Sequence, residues 1–383
     1  MSKSSRTVCI VGGGIGGLVC AQSILQLSKV AGGELNVVLL ERTARLGGQI
    51  KSKSVLLNEG TVLIEEGAEG FVTRSEVFPR VARMAGMPVD TIVDQIRLAD
   101  NELGYDPETR KWRVGQLPPG VAAQKLGFQV PDRDRGRGIR SFDLGMSQLV
   151  DKIGQNLPDV RFNSDVVSVC NSEGGFSVEL RSSEGTLSTL RTDAVVMGIP
   201  VSQLQSVWGF HDLPQPSVSP QHNSHVSVHL LVPKSPHVPE PSSFTVPLAL
   251  QDRFDGLRAV AYVNEKFPRR CPDNSWLFRF YYRPGPNEDL NDSDRWIFAA
   301  KETLLEVYGL ERSTWSHFSP WSQALPIITK DYLESCRIWK DEIDRKSEGR
   351  VAIVGSEVAG AGLEAAAMSG YEAAKKIFNR VSV

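Results

Sequence analysis

Three glycines near the start, Gly12, Gly14 and Gly17 in "VCIVGGGIGGLVC", follow an apolar run and precede a helical pattern. The spacing is G-x-G-x-x-G. The first glycine makes a tight turn, the second lets a pyrophosphate approach the backbone, and the third lets helix pack on strand. Gly16 and Ile15 complete that turn. Phosphate would sit at the helix N-terminus, where unpaired N–H groups and the dipole favour an anion. Glu41 closes a second apolar run, "LNVVLLE", 24 residues beyond Gly17, near the roughly 20 expected for a ribose-binding carboxylate. A second glycine-rich turn, "VAIVGSEVAGAGLEAAAMSG", lies at the other end, from Val351 to Gly370. It too reads as strand, turn and helix start.

Between these ends, "RTARLGGQIKS" supplies Arg42, Arg45, Gly47 and Gly48. A guanidinium pairs well with phosphate, and paired glycines allow a backbone to approach a ligand closely. This stretch resembles the R-x-G-G segment of FAD-dependent amine oxidases and protoporphyrinogen oxidases. The resemblance implies that Arg45 meets the FAD pyrophosphate and that Gly47 and Gly48 run close to the isoalloxazine. Gln49 stands where an arginine is common. "IEEGAEGFVTRSEVFPRVARMAGM" is similar to the protoporphyrinogen oxidase branch, through Glu65, Gly67 and Phe71. Ala68 and Glu69 join the cofactor candidates there, and Arg74 is a candidate anchor for a substrate carboxylate. In the same family the C-terminal segment returns to the FAD domain. Gly355, Gly360, Gly362, Ala366, Ser369 and Gly370 resemble its ending. The resemblance implies that a helix starting near Leu363 and Glu364 aims its amides at the flavin pyrimidine. A positive dipole end there would stabilise reduced flavin. Val167 would place its backbone against adenine, and Gly198 with Pro200 matches the strand that follows. "SFDLGMSQL" departs from the family pattern in having Leu144 for a glycine.

The elements around these motifs read as α/β. A Rossmann-like FAD-binding domain is joined to a second, antiparallel-sheet (α+β) substrate domain, in the amine-oxidase manner. We assign 1–80, 141–210 and 331–383 to the FAD-binding domain, 81–140 to a reduced substrate segment, and 211–330 to the substrate sheet. "NSHVSVHLLVP", "GLRAVAYVNEKFP" and "SWLFRFYYRP" alternate as strands. His225, Ser227 and His229 would share one face. Trp321 and Pro326 resemble the family's W-x-x-A-x-P and would lie where sheet meets flavin. Protoporphyrinogen oxidases carry a long helical domain where this chain has only Leu117–Ser141, room for a loop or one short element. That loop is rich in arginine, with Arg133, Arg135, Arg137 and Arg140.

Composition is that of an ordinary globular protein, with 41% hydrophobic and 23% charged residues over 383 and a net charge of −2. Nothing favours nucleic acid. The five cysteines are scattered without a C-x-x-C, so a reducing compartment and a cytoplasmic location are expected, with no metal site. No apolar run is long enough to span a bilayer. No nucleophile-and-base set or carboxylate pair stands out. A flavin oxidase needs few such groups. The cavity candidates are Arg74, His225, His229, Tyr262 and Trp321. The expectation is a non-covalent FAD enzyme that takes hydride from a cyclic amine, a reduced pyrrole or a carrier-bound intermediate, with dioxygen as acceptor. Protoporphyrinogen oxidation under a minimal lid, or a non-catalytic flavoprotein, are the alternatives.

Overall fold

The computed structural model describes residues 6–72, 75–94, 100–106, 111–117, 139–215, 219–234, 245–247 and 256–382. In chain order the first lobe runs β1 (Thr7–Val11), α1 (Ile15–Val30), β2 (Asn36–Leu40), β3 (Ser52–Leu57), β4 (Gly60–Glu65), β5 (Phe71–Val72) and α2 (Val77–Met84). β6 (Ile92–Asp94), β7 (Asp100–Asp106), β8 (Lys111–Leu117), β9 (Ile139–Phe142), α3 (Ser147–Asn156) and β10 (Asp159–Arg161) follow. Next come β11 (Asp165–Ser172), β12 (Gly175–Arg181), β13 (Leu187–Thr192), β14 (Ala194–Met197) and α4 (Val201–Val207). The second lobe holds β15 (His222–Pro233), β16 (Thr245–Pro247), β17 (Leu257–Tyr262), α5 (Val263–Lys266), β18 (Ser275–Tyr282), α6 (Ser293–Tyr308) and β19 (Trp315–Pro326). The chain then returns through α7 (Lys330–Lys346), β20 (Val351–Ile353), α8 (Ser356–Ala359) and α9 (Leu363–Val381).

The central sheet is parallel, in the order β10-β2-β1-β14-β20. Strands β2, β1, β14 and β20 are apolar runs, as a sheet covered on both faces requires, whereas the edge strand β10 is polar and partly exposed. One face carries α1, α2, α3 and α9 in a single apolar cluster. The other meets β11 to β13, α4 and α7. A Cβ on Gly370 of α9 would lie 2.1 Å from the Gly16 carbonyl of α1, so the two helices touch backbone to backbone. Both helices that begin at glycine turns are thereby fixed to one another. Because α2 and Met87 also belong to this cluster, the FAD-lobe core runs past residue 80, beyond the boundary expected from sequence.

The second sheet has the order β19-β15-β18-β17-β16-β7-β8, with β7 and β8 as an antiparallel hairpin at its edge. Leu117 ends that hairpin and Ile139 begins β9; residues 118–138, with Arg133, Arg135 and Arg137, lie outside the described residues. Helix α6 covers one face of this sheet, where Val226, Val228, Leu230, Phe278, Phe280 and Tyr282 are buried. Towards one end, Leu231 and Leu277 on the opposite face pack with Val62 and Ile64 of β4.

Candidate active site

The first glycine turn begins where β1 ends. Gly12 has φ 102°, and a Cβ there would strike the Gly198 carbonyl at 2.5 Å. Gly17 is equally constrained, with the Gly12 carbonyl 2.1 Å from its ideal Cβ position. Gly14, by contrast, faces open space: a Cβ would meet nothing within 4 Å. Gly12 and Gly17 therefore shape the turn, and Gly14 leaves a surface that a ligand can touch. Gly16 and Ile15 serve packing, with Gly16 against Ala366 of α9 and Ile15 buried in the core.

Glu41 reaches this turn from the end of β2. Its carboxylate accepts from Gly13 N (2.9 Å), Thr43 N (2.9 Å) and Thr43 Oγ1 (2.7 Å). These bonds fix it beside the glycine loop, with lone pairs left for further donors. Gly47 N donates to the Gly13 carbonyl at 2.8 Å, so the Gly47–Gly48 turn lies directly against Gly13 and Gly14. Arg42 is exposed. The Arg45 guanidinium folds back onto the carbonyls of Leu46, Gly48 and Ile50. In this arrangement Arg45 stiffens the glycine turn.

From Gly48 the lining continues through Gln49. Ala68 N donates to the Gln49 carbonyl at 3.1 Å, and a Cβ on Gly67 would lie 1.9 Å from that oxygen. Gly355 and Gly362, at the C-terminal turn, face open space as Gly14 does. Gly355 N donates to Ser369 Oγ of α9 at 3.0 Å. Leu363 starts α9. The Glu364 side chain turns away from the opening and accepts from Ser75 N and Oγ, so its carboxylate ties α9 to the loop before α2. Val167 falls at the register shift between Val166 and Ser168, where the β11–β12 pairing is interrupted. Gly198 N donates to the Val11 carbonyl at 2.7 Å. Leu144 is 67% exposed, and its side chain is accommodated by pointing outwards.

The opposite wall is the sheet face away from α6. Strand register sets its rows: Ser319, Ser227, Tyr281 and Ala259 in one, and His317, His229, Arg279 and Ala261 in the next. His225 pairs across to Trp321. Segment 65–69 crosses beneath these rows, and the sheet lobe holds its carboxylates. Glu65 pairs with buried Arg270 at 3.1 Å. Glu66 pairs with Lys51 and with His317 Nε2, and Trp321 Nε1 donates to its carbonyl at 2.7 Å. Glu69 pairs with Lys266 and accepts from Tyr281 Oη at 3.4 Å. Arg279 donates to the Gly67 carbonyl at 2.8 Å. Burial pushes Glu66 up, but His317 and Lys51 outweigh it and hold the carboxyl at about 2. Glu69 is also lowered, because Lys266 and Arg279 outweigh its burial. Burial and the Arg279 charge push His225 down to about 3 and His229 well below its usual range. Both histidines are neutral at pH 7.

The structure sorts the sequence candidates. His225 and Trp321 are partly exposed on the wall, while His229 lies behind them, fully buried. Tyr262 does not line this wall. It sits in the α6-side core, ring to ring with Phe278 (4.6 Å) and Tyr308 (5.8 Å). The strand shift between Leu257 and Ala259 sets which β17 side chains face away from α6. Glu69, expected at the cofactor, gives its Oε2 to Lys266 and Tyr281, and its Oε1 has no partner among the described residues. Arg74 lies outside the described residues. Sequence reading passed over Arg279, Tyr281 and Lys266, although the alternation in "SWLFRFYY" puts the first two on one face. Among the described residues no three His, Cys, Asp or Glu side chains are grouped to hold a metal ion.

An open glycine turn with a carboxylate bound beside it, and a second open glycine turn, set against a polar sheet face, have the shape that a dinucleotide flavin needs. Gly14, Gly355 and Gly362 leave the room such a cofactor needs. The family comparison agrees. Residues 10–86 match the NAD(P)-binding Rossmann-like domain, and residues 120–378 match the flavin-containing amine oxidoreductase model. The chain belongs to the flavin-containing amine oxidoreductase family and is an FAD-dependent oxidoreductase. No curated protein matches it in sequence. Among solved structures it is similar to "Putative protoporphyrinogen oxidase" from Exiguobacterium sp. 255-15, with TM-score 0.77, 15% identity, and 99% and 100% of the two chains covered. Reduced UDP-galactopyranose mutase gives TM-score 0.70 at 13% identity, covering 100% of this chain and 95% of the other. Cyclohexylamine oxidase from Brevibacterium oxydans IH-35A gives 0.65 at 11%, covering 99% and 100%. At such identities the likeness speaks for the fold alone.

Proposed function

We propose that this enzyme oxidises a small cyclic amine, a partly reduced pyrrole or a carrier-bound intermediate of that kind, with dioxygen as acceptor. The glycine turns and Glu41 would hold FAD, which would supply a two-electron hydride acceptor; the substrate would give up a hydride and a proton, and dioxygen would take up both electrons and two protons as hydrogen peroxide. The supporting observation is the continuous lining from Gly14 through Gly48, Gln49 and Gly67 to the polar wall at His225, Tyr281 and Trp321. The glycine cradle and Glu41 bind the cofactor without a covalent link, and the segment 65–69 places the wall against it. His225, being neutral, orients the substrate by hydrogen bonding and is a poor proton acceptor. A cytoplasmic site is part of this reading. It is supported by the five unpaired cysteines and by the fact that, among the described residues, no helix is long and apolar enough to cross a membrane.

The test is anaerobic. Purified protein should be yellow, and the true substrate class should bleach its absorbance near 450 nm, with colour and peroxide returning on admission of air. Protoporphyrinogen and cyclic amines, free and carrier-tethered, are compared side by side. Bleaching by none of them, or return of colour without peroxide, would count against the reading.

A further inference from the structure

A cleft of about 300 Å³ opens at the far end of the parallel sheet from the glycine turns. Its walls come from the β11–β12 hairpin (Asn171, Phe176), the loop after α4 (Asp212, Leu213) and the end of α7 with the turn into β20 (Lys346, Arg350). Arg350 leads into β20 and Gly355 follows it, so the strand's length separates the cleft from the second glycine turn. Phe176 and Leu213 are buried and give the lining an apolar part.

The charges of this cleft are unmatched. The Arg350 guanidinium carbon lies 5.4 Å from the centroid of the Phe176 ring. Its Nε is buried without a hydrogen-bond partner, and no ion pair or side-chain hydrogen bond joins the guanidinium to any described residue. Lys346 differs, since Glu342 answers its charge at 3.0 Å. Asp212 Oδ2 accepts from Asn171 Nδ2 at 3.3 Å, and the carboxylate makes no ion pair among the described residues. An unpaired cation and an unpaired carboxylate thus line one small space without meeting each other.

We propose that this cleft binds a free α-amino acid with an apolar side chain, its carboxylate on Arg350 and its ammonium group on Asp212. The planar guanidinium suits a carboxylate, which can accept two parallel N–H bonds from it. An ammonium group has three donors, and Asp212 Oδ1 and Asn171 Oδ1 are acceptors beside it. A simple anion would be drawn to Arg350 but repelled by Asp212, and a simple amine would meet the reverse. Only a zwitterion answers both charges. The volume is at the small end of ligand sites, which run from about 300 to 1,000 Å³, and suits a molecule of amino-acid size. This site is separate from the flavin site and stands whether or not the proposed reaction is correct.

L-phenylalanine, 3-phenylpropanoate and phenethylamine share a phenyl group and an ethyl spacer. At pH 7.5 they are a zwitterion, an anion and a cation. Each is titrated calorimetrically into the purified holoenzyme, without dioxygen so that no ligand is turned over. L-phenylalanine should bind about tenfold more tightly than either analogue, a ratio equal to about 1.4 kcal/mol. Arg350→Gln and Asp212→Asn should each erase that preference while the flavin spectrum stays as in wild type. Arg350→Lys, which keeps the charge, should retain part of it. Thermal melts check that each variant is folded; should Arg350→Gln not fold, Asp212→Asn and the ranking in wild type still decide. No detectable binding of L-phenylalanine, or either analogue binding as tightly, would overturn the inference. So would L-phenylalanine binding that survives both substitutions, which would place it in the flavin site. Failure of the flavin reading shows differently, as colourless protein or as flavin that none of the candidate substrates bleaches.

Discussion

Gly14 and Gly17 are three residues apart and do opposite work. The backbone at Gly14 has φ −70° and ψ 171°, a conformation open to any L-residue, and its Cβ position is free. Gly14→Val should therefore leave the melting temperature of flavin-free protein unchanged within a degree or two, while abolishing FAD retention, because the side chain takes the phosphate's place. At Gly17 the obstacle is the protein's own Gly12 carbonyl. Gly17→Val should lower the melting temperature of flavin-free protein markedly, consistent with an overpacking cost of about 1–3 kcal/mol or more. Absorbance at 450 nm and thermal melts of both apoproteins decide the matter. If both variants merely lost flavin, or both merely melted early, the division between cradle and packing would be wrong.

At the scale of elements, the segment after β4 is held under the sheet by ion pairs whose strength depends on pH. Glu66 has a folded value of about 2 against an ordinary 4.5. A depressed carboxyl adds stability that is complete above about pH 4.5 and is lost as pH falls towards 2. Glu66→Gln should flatten the decline of melting temperature across that window. A decline as steep as wild type would show that His317 and Lys51 contribute nothing through Glu66. These pairs also show what sequence could not reveal. The glycine turns were legible because their geometry is local: a strand, a turn and a helix start lie within twenty residues. Tyr281 and Glu69 are 212 positions apart. Alternation in β18 says that Arg279 and Tyr281 share a face, but not which segment crosses that face. Tyr262 was misplaced for a related reason. The strand "LRAVAY" is buried on both faces except at Arg258, so its pattern cannot tell the cavity side from the α6 side.

Across the whole molecule, the two ends of the chain form one structure. Arg6 Nη1 donates to the Val381 carbonyl at 3.0 Å, and α1 lies on α9 through the Gly16–Gly370 contact. The helix behind the first glycine turn and the helix behind the second are thus packed backbone to backbone, and we expect binding at one turn to depend on the other. Gly370→Ala tests this with competing magnitudes of known sign. Alanine in a helix interior is favoured over glycine by about 1 kcal/mol. Left to propensity alone, the substitution would stabilise the protein. Against it stands a methyl group 2.1 Å from the Gly16 carbonyl and 3.1 Å from Cys20 N, an overpacking that costs about 1–3 kcal/mol and separates the helices. We expect the clash to win: a lower melting temperature, and FAD affinity reduced at least tenfold although residue 370 touches no ligand. Added FAD should then recover part of the loss by mass action, by about 2.7 kcal/mol at a hundredfold excess over its dissociation constant. A variant that melts higher than wild type and holds FAD as tightly would show that α1 and α9 can adjust independently, and that the two glycine turns are not coupled.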